Sequence, residues 1–314
     1  MLIYDISQEK VRREDQVVIE HNYDDEGEII NHEDGEGDEE EEDTAREQED
    51  ADDDEKGNVV VEEDSTHSRN DLILSHGSHS VEGLVTMTKT IDHHHKLGLF
   101  AIFDGHYGKD VAEYLQGHLF DNILRQDDFF ENPETAMRRA YKETDAEILE
   151  NVVGSRGGST SVTAIIIPEK KQLIVSHIGD SRAVVCRNGE GSAITHDHTP
   201  EKEKDLVESK GGFVLKKPGN VPQVDGQLAM SRAFGDAKVK DHISAKPDVF
   251  IGKVDEDIEY LILASDGLWK VMSNQDAVEC IKGMKKGDAA AKTLVEEAVE
   301  RGSKDDISCV VLVF

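Results

Sequence analysis

Residues 161–178 read Ser161-Val-Thr-Ala-Ile-Ile-Ile167-Pro-Glu-Lys-Lys-Gln172-Leu-Ile-Val-Ser-His-Ile178. Two apolar, β-branched runs are joined only by Pro168-Glu-Lys-Lys171. A link that short joins antiparallel neighbours, because a parallel crossover needs about a dozen residues or more. Arg182-Ala-Val-Val-Cys186 is the expected third strand of the same meander. Upstream, Leu97-Gly-Leu-Phe-Ala-Ile-Phe103 is another strand. Val111, Leu115, Leu119 and Ile123 then recur every fourth position and predict a helix over about 109–125. Asn132-Pro133 reads as N-cap and first residue of a second helix carrying Met137, Ala140, Tyr141 and Ile148. Downstream, Thr199-Pro200 opens a short charged helix that stops at Gly211-Gly212, and residues 259–264 form a strand. Ser273 to Asp276 is a capping box, Asp288 caps a helix ending near Gly302, and residues 307–313 are apolar at nearly every position. Strands in consecutive runs with helices inserted in pairs predict an α+β fold: antiparallel sheets with helices packed outside them.

The chain has 314 residues, 68 acids, 35 bases and a formal charge of −33. Residues 1–70 hold 28 acids and 6 bases, with no proline or phenylalanine, and Asp38-Glu-Glu-Glu-Glu-Asp43 is unbroken acid. Such a segment has too little apolar surface to offset its ordering entropy, so 1–70 is expected to be a disordered acidic tail and 71–314 the folded domain. The acidic balance argues against nucleic acid as a partner. No apolar run approaches the roughly 18–20 residues of a membrane span, and Met-Leu-Ile-Tyr-Asp has neither a signal peptide's basic start nor a myristoylation glycine. Cys186, Cys280 and Cys309 are odd in number and lack metal-type spacing. The expectation is a monomer without membrane attachment, cytoplasmic or nuclear.

One pattern repeats: an apolar strand touching an aspartate with small neighbours. It occurs at Phe103-Asp104-Gly105-His106, at Ala264-Ser265-Asp266-Gly267, and at Asp305-Asp306 before the Ile307 strand; Gly179-Asp180-Ser181-Arg182 lies between two strands. Strand ends are rigid, and glycine beside an acid lets a carbonyl or water approach. Several carboxylates held this way suit a hard, oxygen-preferring cation, so Mg²⁺ or Mn²⁺ fits better than Zn²⁺.

Together with Gly157-Gly-Ser-Thr160, Val224-Asp-Gly-Gln-Leu-Ala-Met-Ser-Arg-Ala-Phe-Gly-Asp236, Ala264-Ser-Asp-Gly-Leu-Trp269 and Lys304-Asp-Asp-Ile-Ser308, these motifs resemble, in order, those of the type-2C metal-dependent serine/threonine protein phosphatases, the plant members most. The likeness runs from about residue 71 to the last. It implies a sandwich of two antiparallel sheets flanked by helix pairs, and dephosphorylation of phosphoserine and phosphothreonine proteins by two-metal water attack. By the same resemblance Asp104 bridges two Mg²⁺ or Mn²⁺ ions, Gly105 lends its carbonyl, Asp266 and Asp305 are further ligands, and His106 is the general acid. Asp180 is expected to order the sandwich or touch an extra cation. Trp269 reads as core, the cysteines as small buried hydrophobes, and His93-His94-His95 as a solvated turn.

One family motif is missing. Where a Met-Glu-Asp should precede the Asp-Gly-His strand, the chain has Met87-Thr88-Lys89 in a shortened segment. Glu82 is wrongly spaced to substitute, and Lys89 is a candidate for the phosphate-binding base. The exchange changes local charge by +3, and each unit charge at about 4 Å is worth roughly 4 kcal/mol at an effective dielectric near 20. Two readings follow: a phosphatase working with Asp104, Asp266 and Asp305 and one metal fewer, or an inactive relative that binds phosphoproteins or regulators. A dinucleotide-binding or α/β-hydrolase enzyme fails on its own motifs.

Overall fold

The computed structural model describes residues 75–81, 85–91, 97–152 and 157–314, with the strands at 77–81 and 85–91 given by their backbone pairing. The expected acidic tail, Glu82 and the histidine run 93–95 lie outside the described residues. In chain order, β1 (Ser75–Val81), β2 (Val85–Ile91), β3 (Leu97–Phe103) and β4 (Gly105–His106) lead to helices α1 (Asp110–Leu124) and α2 (Pro133–Asn151). Then come β5 (Gly158–Ser159), β6 (Ser161–Ile167), β7 (Gln172–Ile178), β8 (Arg182–Arg187), β9 (Glu190–Ala193) and α3 (Lys204–Ser209). The short β10 (Val214–Leu215), β11 (Gln223–Val224) and β12 (Phe234–Gly235) precede β13 (Asp248–Lys253), β14 (Ile258–Ala264), α4 (Asp266–Trp269), α5 (Asn274–Cys280), α6 (Gly287–Glu300) and β15 (Ile307–Val313).

Two five-stranded antiparallel sheets result, in the orders β13-β7-β6-β3-β2 and β1-β15-β14-β8-β9. Side chains alternate across the strands, and the central strands β3, β6, β7, β14 and β15 are buried on both faces. Phe100 and Ile102 of β3 pack with Val162, Ala164, Leu261, Leu263, Val310 and Leu312 between the sheets. Leu99, Ala101 and Phe103 point the other way, into a core with Leu115, Leu119 and Phe120 of α1 and Met137 and Tyr141 of α2. The second sheet repeats the scheme, with Ile262, Cys309 and Val311 against Leu268, Trp269, Leu294 and Val295. Burial on both faces is why residues 307–313 are apolar almost throughout rather than at every second position. Trp269 is core as expected, its indole N–H donating to Ala264 O at 3.0 Å. Cys186 and Cys309 are buried, and Cys280 is half-buried.

Several expectations need correction. Residues 182–187 do not continue the β6–β7 meander; β8 pairs with β14 in the opposite sheet. The chain changes sheets at Gly179-Asp180, where Gly179 has φ +95° and a side chain there would run into Thr160. The charged helix after Pro200 begins only at Lys204. Asn132 precedes a proline-led helix but makes no side-chain cap bond, and Asp288 lies inside the first turn of α6 instead of capping it. The Ser273–Asp276 capping box is present in both directions.

Candidate functional site

The carboxylates expected from the sequence gather at the ends of four central strands, two from each sheet. Asp104 follows β3, Asp180 occupies the β7–β8 crossover, Asp266 opens α4 after β14, and Asp305 stands two residues before β15. Backbone bonds fix these ends. Thr160 N donates to Asp104 O at 2.9 Å, which ties the β3 end to the start of β6. Ser265 N donates to Ser308 O at 3.1 Å, and Ser308 N returns a bond to Ser265 Oγ at 3.0 Å, which locks the β14 end to β15. Asp266 and Asp305 are thereby held side by side.

Burial and mutual repulsion shape their electrostatics. Burial first, and then the charges of Asp266, Asp180, Asp305 and Asp306, push the Asp104 carboxyl well above the usual carboxylate range. Burial, followed by Asp266, pushes Asp180 up to about 7. Its Oδ1 is buried and has no hydrogen-bond partner among the described residues. Asp266 is raised by burial, with Lys270 pulling the other way. Burial and crowding thus disfavour the ionised forms of these acids in the absence of a cation, and all the donors they offer are oxygens. That donor set fits a hard divalent cation. Among the described residues, however, no three His, Cys, Asp or Glu groups close into a ready cage. Asp266 and Asp305 are instead bridged by Lys270, whose Nζ lies 2.7 Å from Asp266 Oδ2 and 2.5 Å from Asp305 Oδ2. Burial costs the ammonium, but hydrogen bonds and charge from these two acids outweigh that and raise its pKa.

His106 lies at the edge of this cluster, on the two-residue β4. Its Nε2 is 2.8 Å from Asp236 Oδ2, and Asp236 is 4% exposed, while Nδ1 is buried and unpartnered among the described residues. Gly158 is needed beside them, because a Cβ there would run into the Asp236 carboxylate. Gly105 pairs with Ser159 across β4 and β5. Tyr107, next to His106, is 72% exposed and holds φ +57°.

Two groups were not picked out from the sequence. Asp236 lay unremarked at the end of a quoted motif; nothing local links it to a histidine 130 residues away. Lys270 was readable in principle, since it stands four residues after Asp266 at the start of a helix. The Met87-Thr88-Lys89 expectation also changes. The β2–β3 register sets Val85 opposite Phe103 and Thr88 opposite Phe100. Thr88 and Lys89 are thus three and four residues from the Asp104 end, about 10 Å or more along the strand. Their backbone positions are therefore not level with the Asp104 end of β3.

The sequence profile described as "Protein phosphatase 2C" matches residues 66–307. "Probable protein phosphatase 2C 28" of Arabidopsis thaliana is 58% identical over 249 residues, spanning 76% of this chain and 73% of the relative. "Probable protein phosphatase 2C 62" of Oryza sativa subsp. japonica is 52% identical over 246 residues, 77% of this chain and 85% of the relative. Among solved structures, a serine-threonine phosphatase 2C from Toxoplasma gondii superposes with a TM-score of 0.60 at 26% identity, covering 74% of this chain and 93% of that one. A C. elegans sex-determining protein shares the fold with a TM-score of 0.70 at 24% identity; the match spans 77% of this chain and 64% of that one.

Proposed function

Because the chain belongs to the protein phosphatase 2C family as a plant-type member, we propose that it hydrolyses phosphoserine and phosphothreonine in protein substrates. The observation that carries this reading is the gathering of Asp104, Asp180, Asp266 and Asp305 at neighbouring strand ends, with the buried, unpartnered Asp180 Oδ1 among them. Asp104, Asp180 and Asp266, with the Gly105 carbonyl, would hold Mg²⁺ or Mn²⁺, and Asp305 would join where Lys270 releases it. Such an ion supplies charge that offsets the phosphoryl oxygens and makes water more acidic.

The chain's own groups account for the rest. Asp236 engages Nε2 of His106 and so orients the ring, and His106 would hand a proton to the departing serine or threonine oxygen as its bond to phosphorus breaks. Ser265, Ser308 and Thr160 hold the strand ends rigid, so the carboxylates need little reorganisation during the reaction. The acidic tail is proposed to be a solvating extension. Among the described residues no helix is long and apolar enough to cross a membrane.

The second reading, a phosphoprotein-binding relative without turnover, is favoured by the absent Glu-Asp pair and by Lys270 covering two acids. Incubating the full chain with phosphothreonine and phosphotyrosine peptides, in Mn²⁺ and then in EDTA, separates the two. Phosphatase function predicts phosphate release from the phosphothreonine peptide in Mn²⁺ alone. Retention of intact peptide without release would favour the binding module.

A further inference from the structure

Lys270 is the C-cap of the short α4 and lies one turn after Asp266, so its side chain reaches back along the same face. Its ammonium bridges Asp266 Oδ2 and Asp305 Oδ2, acids from two different strand ends. Nothing else in the described structure ties these two carboxylates together, and neither makes another ion pair there. The Lys270 side chain is 54% exposed, so it has room to swing into solvent. It differs in this from Lys240, which is 17% exposed, pairs with Asp145 and also donates to Ala233 O. A long, half-exposed lysine with one anchoring partner type is a detachable cation, and a buried, doubly anchored one is part of the frame.

We propose that Lys270 is a tethered competitor for the metal centre: its ammonium and a divalent cation contend for the oxygens of Asp266 and Asp305, so that this lysine sets how tightly the centre holds metal. The inference rests on the metal-dependent reading above. A divalent ion engaging both acids must displace the ammonium, and losing two charge-assisted hydrogen bonds subtracts from the affinity gained. A lysine with a merely structural role would behave in the opposite way, since deleting it would loosen the strand ends and weaken metal binding.

The test is calorimetric titration of the full chain with Mn²⁺ for the parent, Lys270→Met and Lys270→Arg, with thermal unfolding as a check on each fold. Lys270→Met is expected to bind Mn²⁺ at least tenfold more tightly than the parent, and Lys270→Arg, which keeps the charge, within about threefold of it. If Lys270→Met fails to unfold cooperatively, Lys270→Gln takes its place. Equal or weaker binding in the uncharged variant overturns the inference while leaving the metal centre standing. No Mn²⁺ binding by any of the three overturns the metal centre itself, and the inference with it.

Discussion

At the scale of single residues, the contacts of His106 and Asp180 decide most. In the proposed reaction Asp236 would act through its contact with His106, so replacing it should impair the proton given to the leaving group more than anything else. Asp236→Asn is expected to lower kcat on a phosphothreonine peptide by about 10- to 100-fold, and much less on p-nitrophenyl phosphate, whose leaving group needs no proton. Equal losses on both substrates would reduce Asp236 to a structural role. Asp180 gives a pH prediction. Its carboxyl is raised to about 7 from an ordinary 3.8. A raised carboxyl contributes its stability in full below the unfolded value and loses it as pH rises through about 7. In EDTA, Asp180→Asn should therefore gain in stability over the parent as pH goes from 5 to 8, by up to about 2.5 kcal/mol, read as a rising difference in melting temperature. A gap that is flat with pH would show that Asp180 is not a buried acid under strain.

At the scale of elements, the strands were the legible part of the sequence. Residues 97–103, 161–167 and 307–313 are buried along nearly their whole length, as their apolar content indicates. Which sheet a strand joins was not legible. The run at 182–187 looks like the next turn of a meander, but the chain passes to the other sheet at Gly179, which holds a positive φ. Helix periodicity located α1 to within a residue, because Leu115 and Leu119 must both face the sheet. Asp104, Asp266 and Asp305 were found because glycine and strand ends mark them. Asp236 was not, because a partner 130 residues away leaves no local pattern. Register carries its own prediction. Since Thr88 pairs with Phe100, away from the Asp104 end, Thr88→Glu with Lys89→Asp should leave Mn²⁺ affinity within about twofold of the parent. A tenfold gain in a calorimetric titration would mean that β2 slides when charge is offered to it.

At the scale of the whole molecule, a chain of formal charge −33 must attract phosphorylated, anionic substrates against its own field. The carboxylate centre alone would make that worse, which is a physical reason for it to bind cations. Long-range repulsion is screened beyond about 8–10 Å at physiological salt. The kcat/KM for an acidic phosphopeptide should therefore rise several-fold between about 10 and 150 mM NaCl, and hardly change for a peptide of near-zero charge. The central claim is that phosphate release runs through the carboxylates gathered at the strand ends. The measurement that tests it most directly is the initial rate of phosphate release from a phosphothreonine peptide across a Mn²⁺ series, for the full chain and for Asp104→Asn. The account predicts a rate that saturates with Mn²⁺ in the parent and falls by at least about 100-fold in Asp104→Asn with the fold intact. A rate that ignores Mn²⁺, or that survives the loss of Asp104, would contradict it.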